Sequence, residues 1–255
     1  MDFDLTARRA VVTGASRGIG HAIADRLLRE GAHVAICARG AEGVDAALAA
    51  WRAQGFTVHG EAFDIRADGA VEGFADRAAQ ALGGIDIVVS NVSTRLNPAA
   101  PTWWADSFAS DFHQHVRLFD AVLPHLSAGR DPAALFVASI AAAMTSLPPH
   151  EIAYGAMKAA LVSFAGQMAA VHGRSGLRVN AVMPGPIDFP GGFWDGVRMA
   201  HPDHFKAAAR IAALGRHGTP EEVADAVAFL VSPRAGFITG ASLRIDGGAL
   251  KTINF

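Results

Sequence analysis

Short apolar segments alternate with amphipathic stretches along the whole chain, and no other feature limits the possible folds so strongly. Ala10-Val11-Val12-Thr13, His33 to Ala38, and residues 57–64, 85–89, 134–138 and 177–183 have strand length, and several are apolar almost throughout. Between the first two, Ile19, Ile23, Leu27 and Leu28 fall on one helical stripe. Helical patterns follow at residues 41–53, 71–81, 104–126, 154–172 and 220–230. A strand with no polar face needs cover on both sides, and helices that connect parallel strands supply it. The pattern predicts an α/β, doubly wound parallel sheet with helices on both faces, in one domain over residues 1–255. Residues 184–202 break the rhythm. They are rich in Pro, Gly and large apolar side chains (Phe189, Phe193, Trp194, Met199), which predicts a loop or small helical lid at 186–205.

Composition closes off other classes. With 51% hydrophobic and 18% charged residues in 255, the chain can bury a large core and is not disordered. Lys plus Arg is 22 against 24 for Asp plus Glu, a net −2, which gives no electrostatic footprint for a nucleic-acid backbone. The longest near-apolar run, residues 133–144, falls short of the ~18 residues a membrane span needs. The acidic start Met1-Asp2-Phe3-Asp4 does not resemble a basic secretory signal, so a cytoplasmic, non-membrane protein is expected. One cysteine, Cys37, excludes a disulfide framework and reads as a small core residue of a strand. The densest histidine pairs are His113/His115 and His201/His204. The first pair, two apart on a helix, does not face one point, and the second lacks a third ligand. Surface histidines and no metal are the expectation.

Thr13-Gly14-Ala15-Ser16-Arg17-Gly18-Ile19-Gly20 joins the first strand to the first helix. Glycines there allow a tight turn and close backbone approach, and the amides of the following helix then face a pyrophosphate. Dinucleotide folds carry an acid about 20 positions further on for the ribose 2′-hydroxyl. Here that position is Ala38, followed by Arg39. Loss of the acid removes repulsion of a 2′-phosphate. Arg39 and Arg17 supply cations for it, so NADP is expected ahead of NAD.

Tyr154 is the one tyrosine, and Lys158 lies four positions later. Only Lys158, Lys206 and Lys251 are lysines, so chance would put one there about 1% of the time (3/255). Residues i and i+4 share a helix face, and a neighbouring ammonium favours phenolate over phenol. The pair predicts a hydroxyl that gives and takes a proton near neutral pH.

Together, Thr13-Gly14-x-x-x-Gly18-x-Gly20, Tyr154-x-x-x-Lys158, Pro184-Gly185 and Asp246-Gly247-Gly248 resemble the classical short-chain dehydrogenase/reductase family, over nearly the whole chain. The resemblance implies a Rossmann-type sheet of about seven parallel strands and hydride transfer at a carbonyl or alcohol carbon. It implies a serine at the end of strand five that polarises the substrate oxygen. Ser139 matches by position, although it precedes Tyr154 by 15 residues where about 13 is usual. Counting back 13 reaches Ala141, so an insertion within 141–151 is inferred and Ser139 is preferred to Ser146.

The resemblance also implies cofactor contacts at Gly14, Ser16, Arg17, Gly18, Ile19 and Gly20, at Asp64 and Ile65 beside the adenine, and at Asn91 and Val92. Tyr154, Lys158 and the turn Pro184, Gly185 and Ile187 under the nicotinamide complete the set. Four positions depart from the family pattern: Ser90 and Ser93 in the segment after strand four, Asp111 where asparagine is usual, and Phe189 where threonine is frequent. Asp111 is retained as a catalytic candidate beside Lys158, and His150 and Glu151 are candidate substrate contacts.

The expected function is an NADP(H)-dependent oxidoreductase acting on a carbonyl or alcohol substrate with an apolar body, as 3-oxoacyl or ketone reductases do. The alternatives are a catalytically idle cofactor-binding or redox-sensing protein of this fold, and an NAD-linked alcohol dehydrogenase. A homotetramer or homodimer built partly from the helices of Trp104 and Tyr154 is implied by the resemblance.

Overall fold

The structure, a computed structural model, describes residues 3–94 and 96–252. Seven strands form one sheet: β1 (Arg9–Thr13), β2 (His33–Ala38), β3 (Val58–Ala62), β4 (Ile87–Ser90), β5 (Ala133–Val137), β6 (Arg178–Pro184) and β7 (Ser242–Ile245). The order is β3-β2-β1-β4-β5-β6-β7, and every neighbouring pair is parallel, with Val12 opposite Ile36 and Val11 opposite Val88. Strands β4, β5 and β6 are buried at every position, as their unbroken apolar runs require.

Helices α1 (Gly18–Arg29), α2 (Ala41–Ala53) and α9 (Pro220–Val231) cover one face, packing Ile23, Leu27, Leu48, Trp51, Val223 and Val227 onto it. Helices α3 (Ala70–Leu82), α5 (Gln114–Ser127) and α6 (Ile152–His172) cover the other with Phe74, Phe119, Val122 and Leu161. The chain leaves β1 in one direction and returns to β4 on its other side, so the crossovers part there. Parallel sheets open a ligand crevice at the carboxyl ends of strands at such a reversal.

Two predicted segments differ from what folds. Residues 104–126 are not one helix: α4 (Trp103–Phe108) and α5 are joined by a π turn, Ala109–His113. Its wider winding presents the consecutive residues Ser110 and Asp111 to the same loop, 93–94. The segment after β6 holds two helices, α7 (Phe193–Ala200) and α8 (Pro202–Ile211), and α8 runs beyond the expected limit of 205. Pro202 opens its first turn, where a missing N–H costs nothing, and Ala208 buries its inner face.

Opposite the crevice, Asp86 ties the strand starts together. It accepts from Arg9 Nη2 at 2.6 Å, Arg9 Nε at 2.9 Å and the Arg130 backbone N–H at 2.7 Å. Burial alone would raise its pKa, but these donors win and hold it down at about 2. Among the described residues no helix is long and apolar enough to cross a membrane.

Candidate active site

A cleft of about 910 Å³ lies along the carboxyl edge of the sheet, running from the glycine turn to Tyr154. The turn is built by backbone conformation and close approach. Gly18 has φ +59°, a region that penalises side chains. At Gly20 an added Cβ would sit 2.4 Å from the Gly14 carbonyl oxygen, so only glycine lets α1 start against the turn. No side-chain hydrogen bond caps α1 and no acid stands in its first turn, which suits an anion at that terminus.

Gly14, Ser16, Arg17, Ile19 and Gly20 line the cleft; Gly18 does not. The ring of Phe189 lies where a Gly18 Cβ would project, so this glycine serves the contact between turn and lid segment rather than the cleft wall. Arg17 donates to the Gly191 carbonyl, a second tie between the same two segments.

Arg39, exposed, lines the far end of the cleft beside Asp64 and Ile65. Asp64 accepts from Arg66 Nη2 at 2.7 Å, from its Nε at 3.1 Å and from its backbone N–H at 2.9 Å. These bonds, with a smaller effect from the Arg39 charge, hold the Asp64 carboxyl at about 2. Sequence reasoning missed Arg66. An arginine two residues after a cleft acid was the available signal, since that spacing lets both backbone and guanidinium reach one carboxylate. Cys37 forms part of the floor, buried, its thiol pushed up to about 12 by desolvation.

At the chemical end, Ser139 leaves β5 in extended conformation, and its Oγ accepts the Ala141 N–H at 3.2 Å, starting a single 3₁₀ turn. Tyr154 stands half-buried in the first turn of α6. Lys158, one turn later and 1% exposed, donates to the Val137 carbonyl at 3.3 Å. Its Nζ lies 5.7 Å from the centre of the Tyr154 ring. Burial lowers the Lys158 pKa, and the Asp111 charge opposes that.

Ser139, Tyr154 and Lys158 all line the cleft, as do Asn91, Val92, Pro184, Gly185 and Ile187. Asn91 Nδ2 donates to the Thr13 and Gly14 carbonyls at 3.0 and 3.2 Å, which braces the turn from β4. Gly185 is held to β7 through the Ile245 carbonyl at 3.0 Å.

Other candidates lie elsewhere. Asp111 is buried behind the wall of the cleft, where it accepts from Ser93 Oγ at 2.6 Å and the Thr94 N–H at 3.2 Å. Ser146, His150 and Glu151 are not cleft residues. The expectation that the histidines lie on the surface fails at His115. The π turn and α5 carry it fully inside, where its Nδ1 pairs with Ser90 Oγ at 2.6 Å. Desolvation, reinforced by the nearby Lys158 charge, lowers its pKa well below the usual value. No group of three or more His, Cys, Asp or Glu able to hold a metal occurs among the described residues.

Residues 14–249 match the family profile described as enoyl-(acyl carrier protein) reductase. Isoepoxydon dehydrogenase of Penicillium expansum is 31% identical over 247 residues, covering 96% of this chain and 95% of its own. Cis-4-hydroxycyclohexanecarboxylate dehydrogenase of Sinomonas cyclohexanicum is 36% identical, with 94% and 96% covered. Among solved structures, L-sorbose reductase from Gluconobacter frateurii, complexed with NADPH and L-sorbose, superposes with a TM-score of 0.90 at 30% identity, covering 99% and 100%. A short-chain dehydrogenase from Burkholderia cenocepacia in complex with NADP gives 0.87 at 33% identity, covering 96% and 98%. The chain belongs to the short-chain dehydrogenase/reductase family of oxidoreductases.

Proposed function

We propose that the protein is an NADP(H)-dependent oxidoreductase that interconverts a carbonyl and an alcohol on a small substrate with an apolar body. The observation that carries this reading is the meeting of Ser139, Tyr154 and Lys158 at one end of a cleft whose other end holds the glycine turn and the arginines. The residues fit the cofactor. Gly14 and Gly20 leave room for a pyrophosphate at the α1 terminus, and Arg39 meets a 2′-phosphate where an acid would repel it. Asp64 and Ile65 would flank the adenine, while Asn91, Val92, Pro184, Gly185 and Ile187 would enclose the nicotinamide end. In the occupied cleft the nicotinamide would supply hydride to the carbonyl carbon, or take it up in the reverse direction.

The protein's part is to bind, orient and move one proton. Ser139 donates a hydrogen bond to the substrate oxygen and stabilises the negative charge that grows there. Tyr154 gives its phenolic proton to that oxygen, or takes it back from an alcohol. Lys158 stabilises the charge left on the phenolic oxygen and holds the ribose hydroxyls. Asp111 acts on Lys158 through the wall, its charge opposing the effect of burial on that amine, and so supports the proton relay from behind.

The segment 186–205, continued by α8 to Ile211, acts as the lid. Leu96, Phe193 and Trp194 on the cleft wall give the apolar contact for the substrate body. The exposed Trp104, Phe108 and Ile152, on α4 and α6, support association into a homodimer or homotetramer. Tyr154→Phe tests the reading: turnover of ketones with NADPH should fall at least a thousandfold while NADPH binding stays within a few-fold. A wild-type protein that binds NADPH and reduces no ketone would be a cofactor binder without catalysis. A Tyr154→Phe protein that still turns over would dismiss the proton assignment.

A further inference from the structure

Three hydroxyls stand together on the cleft wall where loop 93–94 meets the π turn: Ser93, Thr94 and Ser110. A hydroxyl has one hydrogen and two lone pairs, so a partner that can only accept fixes the direction of the bond. Ser110 Oγ lies 2.7 Å from the Asp106 carbonyl oxygen and must donate to it. Thr94 Oγ1 lies 2.7 Å from Ser110 Oγ, whose hydrogen is already committed, so Thr94 donates in turn. Ser93 Oγ, 2.6 Å from Asp111 Oδ1, donates to the carboxylate. The neighbouring Asn91 amide has both hydrogens on the Thr13 and Gly14 carbonyls.

These four side chains therefore offer lone pairs and no hydrogen. Across the cleft the polarity is reversed. Ser139 Oγ accepts the Ala141 N–H and keeps its own hydrogen for a ligand, and Tyr154 is a phenol. The wall belongs to this chemical end, because the π turn that carries Ser110 and Asp111 packs against α6, the helix of Tyr154 and Lys158.

We infer, on the oxidoreductase reading above, that the substrate is a neutral hydroxyketone, or the corresponding diol in reverse. Its carbonyl faces Ser139 and Tyr154, and its second hydroxyl donates to Thr94 Oγ1. Thr94 is thus a specificity-determining residue, and an anionic substituent, which has no hydrogen to give, gains nothing from its lone pair.

The test uses calorimetric dissociation constants on the full-length protein loaded with NADP⁺, so that ketone reduction is not required. Cyclohexanone, its 2-, 3- and 4-hydroxy derivatives, and 4-oxocyclohexanecarboxylate are the probes. The best hydroxyketone should bind at least tenfold more tightly than cyclohexanone, equivalent to about 1.4 kcal/mol. The carboxylate should bind no better than cyclohexanone. Thr94→Val, nearly the same shape without the oxygen, should bring the hydroxyketone ratio within twofold, and Thr94→Ser should restore it.

A ratio that survives Thr94→Val, or a carboxylate that binds best, overturns the inference. So does a Thr94→Val protein whose NADPH affinity falls tenfold, since the lone pair would then serve a ribose hydroxyl of the cofactor. If these affinities appear but the wild type reduces none of the ketones, the oxidoreductase reading fails and the hydroxyl preference stands. Turnover without the preference overturns the inference and leaves the oxidoreductase reading in place.

Discussion

Replacing Gly20 with alanine adds one carbon at the tightest point of the glycine turn. That carbon would lie 2.4 Å from the Gly14 oxygen, 2.5 Å from Asn91 Nδ2 and 2.9 Å from the Gly14 carbonyl carbon. Carbon atoms prefer roughly 3.5–4.0 Å from such neighbours, so about 1 Å of movement is needed. Neither neighbour is loose. Gly14 N–H is held by the Cys37 carbonyl at 2.7 Å, and Asn91 Nδ2 by the Thr13 carbonyl at 3.0 Å. Overpacking of this kind costs about 1–3 kcal/mol, while alanine returns about 1 kcal/mol of helix propensity at this position in α1. The net expectation is a loss of about 0–2 kcal/mol in urea unfolding. The groups that must move are also the cofactor-facing ones, so the NADP⁺ dissociation constant should rise at least tenfold in the same protein. Gly196→Ala provides the contrast: within α7 its added carbon meets nothing within 4 Å, and stability should not fall. A Gly20→Ala protein with wild-type stability and wild-type NADP⁺ affinity would refute the close-approach reasoning.

Further expectations concern charge and reactivity. Asp86, held at about 2 when folded and about 3.9 when unfolded, contributes about 2–3 kcal/mol above pH ~4. That contribution is lost as pH falls through 2, so urea unfolding from pH 5 to 2 should show it in the wild type and not in Asp86→Asn. Arg39→Ala should raise KM for NADPH about tenfold or more and leave KM for NADH within twofold in steady-state assays; equal effects on both would dismiss the 2′-phosphate contact. Cys37, buried with its thiol pushed up to about 12, should resist a thiol reagent in the native protein at pH 8 and react once urea unfolds it.

Much of the architecture was legible because the physics was local. His33–Ala38 and Ala41–Ala53 fold within the predicted bounds, since an apolar run between turns and an amphipathic stripe each carry their own signal. The glycine turn and the Tyr154/Lys158 spacing were readable for the same reason. The illegible parts depend on distant partners. Nothing in the run Ala109–His113 announces a π turn, because the loop at 93–94 that engages Ser110 and Asp111 lies 16–18 residues earlier. His115 reads as a polar helix residue, and only the packing of α5 on β4 shows that it is enclosed with Ser90. Arg66 was overlooked because the resemblance marks the acid two residues before it. The Phe189 ring over Gly18 joins segments 171 residues apart, beyond any pattern of spacing.

Ser139 and Tyr154 are each moored to separate beams, one to the tip of β5 and the other to the head of α6. The stretch between them can gain or lose residues as slack in a rope does, without drawing its two posts together or apart. Distance counted along the backbone is therefore a poor ruler for distance across the opening. Two extra residues change how far the rope sags and leave the posts where the sheet has set them.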